Sequence, residues 1–274
     1  MNLFNNVDLA RKIENIKIIG TKEYIVNRQK MSPSYNGDYF ELDGKANVFC
    51  MDGYCFSVGF GLDREIYSSD IAMIEDSIRK KGISSNIHFE LTPYSSQSSL
   101  KILQERGYTL DHFLTVWVLN LEEWKSSNDN FNSDKVSVIR VTADESYEWA
   151  RTVALGFSSD ENITEDSIQS VRCFLILSNS VAFLLKENEV SAAGGFLAMN
   201  DNLGEMFLTS TIHLHRGKGY QNYLIEERIK YAKSKGCTQI TVTTKPNNTS
   251  ARNMERNGFK LAYNKVILKS PFLN

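Results

Sequence analysis

One pattern occurs twice in this chain and restricts its fold more than any other feature. Ile87-His-Phe-Glu-Leu-Thr-Pro93 leads through a serine-rich turn into Leu100-Lys-Ile-Leu-Gln-Glu-Arg-Gly-Tyr108, then into Phe113-Leu-Thr-Val-Trp-Val-Leu119. Ile240-Thr-Val-Thr-Thr-Lys-Pro246 leads through Asn-Asn-Thr-Ser into Ala251-Arg-Asn-Met-Glu-Arg-Asn-Gly-Phe259, then into Tyr263-Asn-Lys-Val-Ile-Leu268. Each copy reads as strand, proline, capped short helix, Gly-aromatic stop, strand. Proline ends the strand because it has no N–H to give a ladder. Serine or asparagine ahead of the helix can accept from its free amides, and glycine after it accommodates a left-handed stop. Two copies in one order predict two related domains, each mixing strands and helices.

The linker predicts where they divide. Ser126 to Asp134 reads Ser-Ser-Asn-Asp-Asn-Phe-Asn-Ser-Asp, too polar to bury area that offsets its ordering entropy. The expectation is a first domain over 1–125, a linker over 126–134 and a second domain over 135–274. With 274 residues and 42% apolar side chains, each half has enough material for its own core. A net charge of −2 provides no overall basic field for nucleic acid. Cys50, Cys55, Cys173 and Cys237 form no CxxC pair and are read as reduced thiols of a cytoplasmic protein. Met1 to Ile19 carries charges throughout, so it reads as an amphipathic helix covering a sheet and not as a signal peptide or anchor.

In the second half, Val136–Val141 alternates as a strand and Asp144–Phe157 reads as a helix, as does Ser167–Leu177. Val181–Lys186 and Ala192–Met199 are strands joined by the charged turn Glu187-Asn-Glu189. Glu205–Leu214 is a long strand rich in β-branched residues. It runs into Arg216-Gly-Lys-Gly219, and a helix with Ile225, Ile229 and Ala232 at core spacing follows at once. Glycines let the backbone turn tightly and approach a ligand. The first amides of the helix have no partner within it, and with the dipole they suit a phosphate. No GxxxxGK[ST] or GxGxxG occurs, so P-loop and Rossmann sites are excluded. A glycine-rich turn without any ligand is the plain structural reading.

From Val136 to Leu268 the sequence resembles the GNAT superfamily of N-acetyltransferases. The family's turn, [R/Q]-x-x-G-x-[G/A], reads here Arg216-Gly-Lys-Gly219-Tyr-Gln221, with Gln221 departing at the sixth position. Asn-Gly-Phe259 matches the family's Leu-Gly-Phe ending. The first half looks like a degenerate copy without the turn. The resemblance implies an α/β (α+β) fold of two such domains, each a mixed, mostly antiparallel sheet flanked by helices, with splayed central strands in the second.

It also implies acetyl-CoA as co-substrate and no metal, with direct attack by a small-molecule or peptide amine in a monomer or homodimer. Nucleic acid and membrane are not expected partners. The alternative is a non-catalytic acyl-CoA-binding module. Main-chain groups of Ile212 and Leu214 would pair with the pantetheine, and Gly217, Lys218, Gly219, Tyr220 and Gln221 would hold the diphosphate through their amides. Arg216 and Lys218 would add charge. His213 and His215, alternating on one strand face, are too few for a metal site, but His215 could contact a phosphate. Asn253 could reach the pantetheine or thioester. The family's acidic tyrosine falls on Met254, which has no proton to give, so Tyr263 becomes the substitute acid and Glu205 a candidate base. Core packing and a solvated strand end are their plain readings. Tyr35, Tyr39, Phe40, Phe49, Tyr54, Phe56 and Phe60 read as core.

Overall fold

A computed structural model describes residues 6–44, 46–51, 53–82, 86–126, 135–159 and 162–271. Apart from Ser126, the expected linker lies outside them. Two compact units emerge, and neither is continuous in sequence. The first comprises Met1–Val116, Thr244–Pro246 and Leu261–Asn274; the second comprises Trp117–Thr243 and Asn247–Lys260.

The first unit begins with helix α1 (Val7–Met31), whose first turn is capped by Asn6 Oδ1 accepting from the Leu9 amide at 2.9 Å. It extends well past Ile19. Gly20 lies inside it at modest cost, and Ser32-Pro33 ends it because the residue before proline is pushed out of helical geometry. Strands β1 (Asp38–Leu42), β2 (Ala46–Met51) and β3 (Tyr54–Val58) form antiparallel hairpins. Helix α2 (Ser68–Lys80) crosses to β4 (Ile87–Leu91), which runs parallel to β3. Helix α3 (Gln97–Glu105) leads to β5 (Thr109–Asn120), which passes from the first unit into the second. Ile71, Ile74 and Ile78 of α2 are fully buried against Ile87, Phe89 and Leu103. Each such side chain contributes about 1.5–3 kcal/mol. Cys50 and Cys55, opposite one another across the β2–β3 hairpin, are joined in a disulfide, which corrects the expectation that all four thiols are reduced. Cys173 and Cys237 are free and buried.

The second unit contains β6 (Val136–Arg140), helices α4 (Ser146–Phe157) and α5 (Glu165–Arg172), β7 (Ser180–Glu187), β8 (Val190–Asn200), β9 (Leu203–Thr211), α6 (Tyr220–Ser234), β10 (Gln239–Thr244) and α7 (Thr249–Arg256). The expected helix over 167–177 is thus two pieces, with Cys173–Ile176 forming a separate 3₁₀ turn. Strands β6 to β9 are antiparallel neighbours, and β9 is parallel to β10. Leu224, Ile225, Ile229 and Ala232 of α6 pack with Leu197, Met206, Ile240 and Phe259.

Both copies of the repeated pattern are present, as β4–α3–β5 and β10–α7–β11 (Lys260–Lys269), and Gly107 and Gly258 turn the chain at φ 83° and 82°. Their last strands, however, are exchanged. Within the first unit β11 lies between β4 and β5, pairing antiparallel with β4. Within the second, the end of β5 flanks β10, with Thr241 Oγ1 donating to the Trp117 carbonyl at 3.0 Å. The expected fold class holds, a mixed and mostly antiparallel sheet with flanking helices in each unit.

Candidate functional site

In the second unit β9 and β10 pair over Leu203–Gln239, Gly204–Ile240 and Glu205–Thr241. Among the described residues their pairing ends there, although β9 continues to Thr211 and β10 to Thr244. The cause lies on the other side of β9. Gly194 pairs with Ser210 and Phe196 with Phe207, so Leu208 and Thr209 together face the single residue Gly195. Leu208 has φ 47°. A bulge of this kind bends its strand and sharpens the twist, and β9 turns away from its parallel neighbour. Beneath it lies Arg228, 1% exposed, donating to Thr209 Oγ1 at 2.7 Å, to the Phe196 carbonyl at 3.3 Å and to the Leu224 carbonyl at 2.9 Å. Burial pulls its guanidinium down to about 9. A Cβ on Gly195 would sit 3.0 Å from the Arg228 Cζ, so glycine is what leaves room for the guanidinium.

The chain beyond β9 is shorter as a strand than its β-branched composition predicts. The strand ends at Thr211, and His213–His215 form one 3₁₀ turn. This corrects the placement of His213 and His215 on one strand face. It also alters the expected pantetheine pairing. The Ile212 amide donates to the Ala192 carbonyl at 3.0 Å and its carbonyl accepts from His215 at 2.9 Å, while Leu214 is 81% exposed.

Gly217 and Gly219 follow, both at φ 79°, and α6 starts at Tyr220. Among the described residues, no hydrogen bond engages the main-chain N–H of Gly217, Lys218, Gly219, Tyr220 or Gln221; the first engaged amide is Asn222, which donates to the Gly219 carbonyl at 2.9 Å. No atom lies within 4 Å of where a Cβ would stand on Gly217 or Gly219, so the turn is open on that side.

Side chains of the turn anchor it. The Arg216 guanidinium donates to the Thr211 carbonyl at 3.0 Å and the Gly156 carbonyl at 2.8 Å. Helix α4 comes close enough for this because Gly156 has no side chain; a Cβ there would meet Ser210 Oγ at 2.5 Å. Ser210 Oγ in turn donates to the Val153 carbonyl at 2.9 Å. Gln221, the departure from the family pattern, donates to Thr211 Oγ1 at 2.8 Å and ties the first turn of α6 to the end of β9. Lys218 donates to both carboxylate oxygens of Glu187, at 3.0 and 2.8 Å, and His215 Nδ1 lies 2.7 Å from the same group. With the Tyr220 hydroxyl as a further donor, these hydrogen bonds hold the Glu187 carboxyl at about 2. Burial and that same contact push Tyr220 up to about 12.

Glu205 is half-buried at the last paired position of β9, where the two parallel strands part. Asn253 is half-buried on α7, one turn before Asn257, whose side chain donates to the Asn253 carbonyl at 2.8 Å and to Asn222 of α6 at 3.0 Å. Met254 is a core residue, 6% exposed. Tyr263 belongs to the first unit. It is 6% exposed, its hydroxyl donates to Glu14 at 3.0 Å, and burial with the Glu14 charge raises its pKa. Glu187 and Arg228 were missed. The charged turn signalled only a hairpin, and an arginine on a helix face gives no sign that it will be buried. Among the described residues, no group of three or more His, Cys, Asp or Glu is placed to hold a metal ion, and no helix is long and apolar enough to cross a membrane.

A strand that parts from its parallel neighbour and runs into a turn of unengaged amides at a helix start is an arrangement suited to an anionic ligand. Residues 144–259 match the acetyltransferase (GNAT) family model. Several solved structures are similar over nearly the whole length. One is a GCN5-related N-acetyltransferase from Kribbella flavida, 16% identical over 92% of this chain and 96% of that one, with a TM-score of 0.63. Another is a tandem GNAT protein from the clavulanic acid biosynthesis pathway, 10% identical over 97% and 95%, with a TM-score of 0.66. A third, from Sphaerobacter thermophilus, is 11% identical over 86% and 84%, with a TM-score of 0.62. At such identities the likeness concerns the fold. No curated protein matches the sequence.

Proposed function

We propose that the second unit binds acetyl-CoA and that the protein transfers its acetyl group to the amine of a small molecule or peptide. The observation that carries this reading is the set of five unengaged amides from Gly217 to Gln221, at the start of α6 and beside the open edge of β9. A diphosphate suits such donors, which need no rearrangement to receive it. The parted edges of β9 and β10 would take the pantetheine arm, and Asn253 stands on the helix that follows β10. Acetyl-CoA supplies the thioester. A neutral amine attacks its carbonyl carbon, the C–N bond forms, the C–S bond breaks and the electron pair leaves on sulfur. In this reading Glu205, where the two strands part, accepts the amine's proton, directly or through a water, before that proton passes to the thiolate. A coenzyme A thiolate leaves tolerably without an acid, so Met254 does not prevent turnover.

Calorimetry with acetyl-CoA, followed by a panel of amines, tests the reading. The wild-type chain binds the thioester, and Gly219→Glu weakens binding at least ~100-fold by placing a carboxylate and a strained φ where the diphosphate sits. Retained binding in that variant would refute the site. Binding without turnover on any amine would reduce the protein to an acyl-CoA-binding module.

A further inference from the structure

We propose that Glu187 is a tethered internal anion that competes with the cofactor's phosphates for the side-chain donors of the turn, and so sets the affinity and salt response of the site. The inference deepens the acetyl-CoA reading and rests on it.

Three side-chain donors converge on one carboxylate. Lys218 Nζ reaches both oxygens, His215 Nδ1 stands 2.7 Å away, and the Tyr220 hydroxyl completes the set. Lys218 and Tyr220 come from the segment whose amides are unengaged, and His215 lies two residues ahead of it. An ammonium, an imidazole and a phenol around a single oxygen pair meet the same demand that a phosphate makes. The cradle is therefore an anion site with its anion built in.

The hairpin fixes that anion in place. Asn188 and Glu189 have φ 49° and 64°, the pattern of a two-residue type I′ turn, whose twist matches the flanking strands. Glu187 is the last residue of β7 and pairs with Val190 across this turn. The Asn188 amide is held by the Lys135 carbonyl at 2.7 Å. The backbone that carries the carboxylate is thus as firmly placed as the strand itself. No other cation of the turn offsets it, because Arg216 is committed to two carbonyls. Lys186, next in the strand, faces Glu148 at 3.7 Å. A phosphate that reaches Lys218 has to displace Glu187 or share the donor with it.

The test is calorimetry of acetyl-CoA, and separately of inorganic pyrophosphate, against wild type, Glu187→Gln and Glu187→Asp over a range of potassium chloride concentrations. Glutamine keeps the shape and removes the charge; aspartate keeps the charge and draws it back from the cradle. Glu187→Gln is expected to bind acetyl-CoA about tenfold tighter than wild type at low salt, with a steeper loss on adding salt, because the Lys218 ammonium has been released. Glu187→Asp is expected to fall between the two. A carboxylate that merely orders the turn predicts the opposite sign, weaker binding with an unchanged salt slope, and that result overturns the proposal. Wild-type binding with no gain in either variant overturns it alone. Silence of all three proteins overturns the cofactor reading together with it.

Discussion

In the first unit Cys55–Ser57 pairs in parallel with Ile87–Phe89, and in the second Leu203–Glu205 pairs with Gln239–Thr241. Both ladders stop after three residues, so both units open the centre of their sheet at the same place. The first unit fills what it opens. The Glu90 amide donates to Ser57 Oγ at 3.3 Å, the Phe60 carbonyl accepts from Ser95 Oγ at 2.7 Å, and the Gly61 carbonyl accepts from the Ser96 amide at 2.9 Å. A charged cluster completes the filling. Lys265 Nζ lies 2.6 Å from Glu14 and 3.0 Å from Glu90, and Lys17 closes on Glu90 at 2.8 Å. The second unit leaves its donors unengaged at the turn. The contrast shows that the backbone plan creates the opening, while local side chains decide whether protein or ligand satisfies it.

The largest expected effect strikes the filled side. Lys265→Met leaves Glu14 and Glu90 buried without their shared cation and costs about 3–5 kcal/mol, read as a fall in the urea midpoint. A loss under ~1 kcal/mol would mean that the cluster does not hold the first unit together. Acid probes the same cluster without mutation. Burial alone would raise the Glu90 carboxyl, but the charges of Lys17 and Lys265 override it and hold it at about 2. A carboxyl depressed in the folded state stabilises above its unfolded value of about 4.3, and the contribution disappears as pH falls through about 2. Stability is therefore expected to drop by up to ~3 kcal/mol across that window, and Lys265→Met should flatten the profile. A parallel slope in the variant would break the assignment.

Glycines sharpen the comparison at smaller amplitude. Gly61 and Gly217 both have positive φ, 64° and 79°. A Cβ on Gly61 would meet Ser99 Oγ at 2.7 Å, whereas one on Gly217 would meet open space. Gly61→Ala is expected to cost about 1–3 kcal/mol of stability and Gly217→Ala about 1 kcal/mol, with thermal unfolding as the readout. Equal losses would erase the distinction between a filled and an open turn. The smallest effect belongs to Gln221→Ala, which removes one hydrogen bond to Thr211 and is expected to cost about 1 kcal/mol, seen in the denaturant midpoint.

Much of this contrast was legible before the fold. The Arg216–Gln221 turn, the repeat and the core face of α6 were read from spacing, because glycine, proline and apolar period act locally. The bulge at Leu208 was hidden, since a leucine with positive φ is a result of tertiary register and not of its own preference. The carbonyl contacts of Arg216 were hidden for a similar reason: an arginine before two glycines suggests an anion, and only the approach of α4 supplies carbonyls for it to hold. Tyr263 and Lys265 sit in a strand whose pattern gives no sign of which cluster it joins. That neither unit is continuous in sequence was likewise hidden, because a strand's partner is set by the sheet and not by its neighbours in sequence.

The strand Lys260–Lys269, placed between β4 and β5, has a consequence for synthesis. A ribosome releases residues 1–116 early, but the cation that Glu14 and Glu90 share emerges only at position 265, about 150 residues later. Until then the nascent first unit carries two acidic groups in an unfinished interior and a sheet with a vacant slot. The first unit is therefore completed only after the second has left the ribosome, so the edge of β4 that receives β11 must stay unpaired in the meantime.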